Sequence, residues 1–108
     1  MAEYVLIESR DPFEFANVGS YCRLAASLAK AGNKVTLFLV QNGVLQARIG
    51  AKDGGMAEAA KSGVTILAEE FSLRERGIGR DALVPEVKPM ALDFVVDRLE
   101  TGAKTMWH

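Results

Sequence analysis

Val64-Thr-Ile-Leu-Ala-Glu-Glu-Phe-Ser-Leu-Arg-Glu-Arg-Gly-Ile78 is the stretch on which the reading of the chain turns. It opens as a short apolar and β-branched run, switches after Ala68 into Glu69-Glu70, and then follows a helical pattern to Gly77. A run of that length, set off by Gly63 and a polar pair, reads as a strand buried on both faces. A buried strand that feeds straight into a helix belongs to an α/β sheet. In open sheets of that kind, sites gather at the carboxyl ends of the strands.

The same pattern extends toward the N-terminus. Met56 to Ser62 is a short helix of strong helix formers closed by Gly63. Ile49 to Gly55 reads as a loop, with Gly50, Gly54 and Gly55 around Lys52-Asp53. Lys34 to Val40 is a second strand, followed by Gln41-Asn42-Gly43 and a short helix or turn at Val44 to Ala47. Tyr4-Val-Leu-Ile7 is the opening strand. A helix is predicted from Pro12 to Ala31, with Phe15, Val18, Cys22, Ala25, Ala26 and Ala29 facing inward at three- and four-residue steps. Strand, helix and strand with tight connections make a right-handed βαβ unit.

Toward the C-terminus the chain reads as a helix at Glu69 to Arg76 and a loop around Gly79. A short fourth strand follows at Leu83-Val84, then an elbow from Pro85 to Pro89. A last helix spans Met90 to Leu99, with Leu92, Val95, Val96 and Leu99 inward, and a final strand covers Lys104 to Trp107. The fold class is therefore α/β: three layers, α/β/α, on a mainly parallel sheet of about five strands, in a single domain spanning 1–108.

Composition bounds the function. The 108 residues are 49% hydrophobic and 25% charged, so a packed core is expected and disorder is not. A net charge of −1 gives no general pull toward nucleic acid or an anionic membrane. No apolar run approaches the ~18 residues of a membrane span, and no secretory leader is legible, which makes a cytoplasmic setting the expectation. One cysteine, Cys22, excludes an internal disulfide and a cysteine cluster for a metal. One histidine, His108, is the last residue, so neither a histidine triad nor a multi-histidine metal site is expected within one chain. No phosphate-binding glycine loop is present, and no cofactor is expected.

The chemistry-bearing residues fall at strand ends. Glu8-Ser9-Arg10, Gln41-Asn42-Gly43, Glu69-Glu70 and the region of Val84-Pro85-Glu86 line one edge if the strands are parallel. Glu8, Arg10, Asn42, Gly43, Glu69 and Glu70 are the candidate ligand-binding residues of that edge. Glu69 and Glu70 as a pair could act as acid and base. Acidic residues in a first helical turn also suit the helix dipole, with Glu70 and Arg74 supporting each other at four-residue spacing, and this capping role is the expected one. Cys22, mid-helix on an apolar face, reads as a core thiol rather than a reactive one. An arginine clamp for an anion would need Arg10 or Arg80 beside Arg74 or Arg76. Tyr4, Phe94, Met106 and Trp107 are candidate contact residues, and Trp107 would be buried by a docked terminal strand or by a neighbouring subunit.

Four features together resemble the DsrE/DsrF/DsrH-like (Tus-type) proteins, the small α/β subunits of sulfur-relay and sulfur-oxidation systems. They are the opening strand with its long helix, Val35-Thr-Leu-Phe-Leu-Val-Gln-Asn-Gly-Val44, the segment Val64 to Ile78 with its Arg76-Gly77-Ile78 ending, and the closing helix and tail with Trp107. The resemblance implies the fold, a cytoplasmic location, and homo-oligomers or hetero-oligomers with related subunits, often trimers or hexamers, and a sulfur-carrier protein as a partner. Sulfur-carrying members keep a cysteine at the start of the helix before the Arg-Gly-hydrophobic ending. Here that region is Glu69-Glu70-Phe71-Ser72, without a thiol. The resemblance therefore points to a binding or structural subunit, with no catalytic residue assigned. Two other readings stand beside it: a sulfurtransferase carrying a persulfide on Cys22, and a flavodoxin-like binder of small anions or nucleotides.

Overall fold

In the computed structural model, which describes residues 1–108, five strands form one sheet in the order β4-β3-β2-β1-β5, and every pairing is parallel. The strands are β1 (Glu3–Glu8), β2 (Lys34–Leu39), β3 (Thr65–Glu69), β4 (Val87–Met90) and β5 (Lys104–Trp107). The helices are α1 (Val18–Lys30), α2 (Met56–Lys61), α3 (Glu70–Glu75) and α4 (Asp93–Glu100). The three central strands are apolar because both their faces are covered: Val5, Leu6, Leu37, Phe38 and Leu39 are all fully buried.

Successive residues of a strand point to opposite faces, and that alternation sorts the core into two layers. Leu6, Leu37, Leu39, Ile66 and Ala68 pack with α1, α2 and α3 residues such as Tyr21, Cys22, Met56 and Leu73. Val5, Ile7, Phe38, Val40 and Leu67 pack with Val95 of α4, and Phe94 stacks on Phe38 at 5.9 Å. The chain winds one way from β1 through β2 and β3 to β4, with its helices on the first face. It then returns under the other face through α4 to place β5 beside β1. The winding thus reverses at the β1–β5 boundary, where crevices form above an open α/β sheet.

Four expectations are corrected. Helix α1 begins at Val18, not Pro12. The Asp11 carbonyl closes a single turn by accepting from Glu14 N and Phe15 N, and Pro12 is buried against Gly54, which draws the chain across to the 50s loop first. Phe15, expected inward, is exposed in that connection. The fourth strand is Val87–Met90 rather than Leu83-Val84; Leu83 makes only an isolated antiparallel bridge to Arg48. Pro89 is tolerated because β4 is an edge strand bonded to β3 alone. In α4 only Val95 is buried, whereas Leu92, Val96 and Leu99 are 52%, 50% and 53% exposed, so the helix turns most of its apolar side to solvent. The eight residues of α4 span roughly two turns, and its contact with the sheet is made through Val95 and the half-buried Phe94.

Candidate functional site

Part of the expected polar edge exists, and the sheet splits it. Val84-Pro85-Glu86 instead precede β4 and lie at its amino end, with Pro85 and Glu86 near Ala57 and Lys61 of α2. Glu8, one residue beyond Ile7, points to the α1 face, whereas Glu69, one beyond Ala68, points to the α4 face. The parity of two strands thus puts Glu8 and Glu69 on opposite faces, and of the six residues expected in one cleft only Glu69 lines the cleft on the α4 face.

On the α1 face, Glu8 is fully buried. Its carboxylate accepts from Arg10 N at 3.0 Å and lies 2.8 and 3.0 Å from His108 Nδ1. The β1–β5 ladder continues past Trp107 to put His108 there: His108 N donates to the Ile7 carbonyl at 2.8 Å, and the His108 carbonyl accepts from Ser9 N and Ser9 Oγ. The Tyr21 ring stacks on the imidazole at 4.9 Å. Burial raises the Glu8 carboxyl above the usual carboxylate range, opposed by the His108 contact and the Arg10 N–H. Burial and the Glu8 charge together raise the Tyr21 phenol as well. His108, as the last residue, is not among the site residues expected from the sequence. The signal that finds it is the register of β5, which pairs Ile7 with Trp107 and so brings the next residue on each strand together.

Cys22 lies beneath this pair, 1% exposed. Burial, then the Glu8 and Asp53 charges, push its thiol up to about 11 against a small opposing effect of Arg23. A thiol in that state is protonated at neutral pH and is neither nucleophile nor ligand. Native protein should therefore resist a water-soluble thiol reagent at pH 7.5 and react rapidly once unfolded in urea. Stoichiometric labelling of the native chain within minutes would show that α1 opens.

On the α4 face, Glu69 caps α3 as expected. Its Oε1 accepts from Ser72 N at 3.0 Å and from Ser72 Oγ at 2.6 Å, while Oε2 accepts from Phe71 N at 2.8 Å. Three hydrogen bonds on one buried carboxylate leave it no free role as a general base. Glu70 points outward, 3.9 Å from Arg80, and not to Arg74. The acid pair is thereby separated into one inward cap and one surface ion pair. Arg74 and Arg80 share a shallow cleft of about 260 Å3 with Glu70, which offsets part of their charge. Arg10 lies apart from them, 5.0 Å over the Phe15 ring.

Gln41-Asn42-Gly43 has three distinct jobs. Gln41 is the one non-glycine residue with positive φ, 51°, and its N–H donates to Ser72 Oγ at 2.8 Å. Asn42 Oδ1 accepts from Arg76 Nε and Nη2 at 3.2 and 3.0 Å, which ties the turn after β2 to the end of α3. Gly43 is buried where a Cβ would stand 2.1 Å from the Glu8 carbonyl oxygen.

Above β1, β2 and β3 on the α4 face lies a cleft of about 270 Å3. Ile7, Val40 and Val95 form its floor, Gln41, Glu69 and Ser72 one polar side, and Phe71, Leu92 and Trp107 its rim. Trp107, expected to be buried by a docked terminal strand or by a neighbouring subunit, is 65% exposed within the single chain: β5 docks on β1, but the indole leans over the cleft. No cluster of three or more His, Cys, Asp or Glu is placed to hold a metal ion, and no helix is long and apolar enough to cross a membrane.

Fold and site together define a small doubly wound α/β protein with an apolar cleft at its strand ends. Solved structures share the whole architecture. The YchN protein of E. coli superposes with a TM-score of 0.86 at 20% identity over 100% of both chains. A protein of unknown function from Methanobacterium thermoautotrophicum gives 0.82 at 22% identity, again over 100% of both. A conserved protein of unknown function from Bacteroides thetaiotaomicron gives 0.75 at 16% identity over 98% of this chain and 94% of that one. At these identities the likeness is one of fold. No protein-family model matches the sequence, and no curated protein does.

Proposed function

We propose that this chain is a non-catalytic, DsrE-like subunit of an intracellular sulfur relay, which assembles with copies of itself or with related subunits and presents its α4-face cleft to a small ligand or a sulfur-carrier protein. The observation that carries this reading is the start of α3. The resemblance places a relay thiol there, and this chain instead has Glu69 turned inward as a cap. The only thiol, Cys22, is sealed in the core. A single unpaired cysteine suits a reducing, cytoplasmic setting.

The assembly half of the proposal is supported by α4. Leu92, Val96 and Leu99 recur at helical spacing on its solvent side, with Trp107 also exposed on the same face of the edge strand β5. Exposed apolar residues concentrated in this way mark contact surfaces. Light scattering coupled to size exclusion is expected to give a trimer or hexamer at micromolar concentration. The double change Val96→Asp and Leu99→Asp should give a monomer with an unchanged circular dichroism spectrum. A strictly monomeric parent protein sinks the assembly claim. Treatment with a persulfide donor should add no mass of about 32 Da to the native chain; a stable adduct on Cys22 would favour the sulfurtransferase reading.

A further inference from the structure

The cleft on the α4 face has a charge pattern that selects its ligand. Of the ten residues lining it, Glu69 and Glu75 are the only charged ones, and neither lysine nor arginine is among them. An anion would find no counter-charge there. Glu69 is consumed by its three cap hydrogen bonds, so Glu75, whose side chain is 56% exposed at the rim, is the carboxylate open to a ligand. Its neighbour Arg76 approaches only to 3.9 Å and has Nε and Nη2 committed to Asn42. Arg76 Nη1, the atom nearest Glu75, itself donates to the Ser72 carbonyl at 3.2 Å, so with the Arg76 side chain 24% exposed and that of Glu75 56% exposed the pair is a loose one. Phe71 and Trp107, 56% and 65% exposed, give the rim two aromatic side chains. Aromatic faces beside a carboxylate attract an organic cation, with tryptophan the strongest such partner. The left-handed Gln41 lies in the same wall, and backbone strain of this kind concentrates at ligand sites.

Resting on the reading of this cleft as a binding site, we propose that its ligand is a small organic cation, an alkyl- or arylammonium. Its apolar body enters between Leu92, Val95 and Val40, and its charge lies between the rim aromatics and Glu75.

Trp107 is the only tryptophan of the chain, so its fluorescence reports on the cleft rim, and light scattering on the same samples shows whether a change in assembly contributes. The test is a titration with three probes of similar size: phenyltrimethylammonium, benzyl alcohol and benzoate. The cation should produce a saturable change in Trp107 emission. Benzyl alcohol should bind roughly five-fold more weakly or worse, on the scale of a cation–π contact, and benzoate should produce no saturable change. Glu75→Gln, an exposed and conservative change, should weaken the cation several-fold and leave benzyl alcohol unaltered. Phe71→Ala should weaken the cation as well. Equal binding of benzoate or benzyl alcohol, indifference to Glu75→Gln, or no saturation with the cation each overturns the proposal. Light scattering on the same samples keeps the two readings apart. An assembled, persulfide-free protein that ignores the cation removes this inference and leaves the subunit reading standing.

Discussion

Gly43→Ala is expected to cost about 3–5 kcal/mol, enough to lower the melting temperature by roughly 10–20 °C and to leave the protein partly unfolded near 37 °C. Gly43 does not have positive φ, so the cause is space and not backbone freedom. An added Cβ would stand 2.1 Å from the Glu8 carbonyl oxygen and 3.0 Å from its carbon. Both are main-chain atoms of the central strand β1 and cannot swing aside as a side chain can. The same oxygen accepts the Val40 N–H at 2.9 Å, and Gly43 N donates to the Val40 carbonyl at 2.8 Å. Relief of the clash therefore breaks a ladder bond or opens the turn. Urea melts of the variant should show a lower midpoint with the slope retained. Gly50→Ala makes a matched control: its φ is 87°, but no atom lies within 4 Å of the added Cβ, so only backbone strain of about 1 kcal/mol is expected. Equal losses at the two positions would mean that close approach at Gly43 is not the cause.

The architecture was legible in the sequence because its central strands are buried on both faces and therefore read as continuous apolar runs. The same rule misplaced β4. Val87-Lys-Pro-Met90 is an edge strand with one buried residue and a proline, so it carries no such run, while Leu83-Val84 imitates one. The inward face of α4 failed for a related reason. Helical periodicity shows that Leu92, Val95, Val96 and Leu99 form an apolar side; it does not say that a single chain must cover that side. The polar edge was legible as an edge. Its division was not, because the face a strand-end residue takes depends on the parity of its register, and one residue more or less reverses it. Trp107 and His108 are adjacent in sequence, yet one overhangs the α4-face cleft and the other closes on Glu8 on the α1 face.

That closure leads to the second large effect. Glu8→Ala should destabilise by about 2–4 kcal/mol, since it leaves a cavity beside Tyr21 and Cys22 and removes the acceptor of Arg10 N and the partner of His108 Nδ1. Glu8→Gln keeps an acceptor oxygen and the volume, and its effect should depend on pH. The sign follows from burial, which raises the Glu8 carboxyl in the folded protein above its ordinary value of about 4.5. A raised carboxyl favours folding while it is protonated in both states. That contribution is complete below the ordinary value and is lost as pH climbs through the raised one. The stability of the parent relative to Glu8→Gln should thus be greatest near pH 4, fall as pH rises, and level off once folded Glu8 is ionised. Other carboxylates titrate in both proteins and cancel in the difference. Denaturant melts of the two proteins at pH 4, 6 and 8 measure it. If the parent instead gains on Glu8→Gln as pH rises, the attraction of His108 outweighs desolvation, and the pair is an ion pair that clamps β5 to β1 rather than a buried acid that β5 covers.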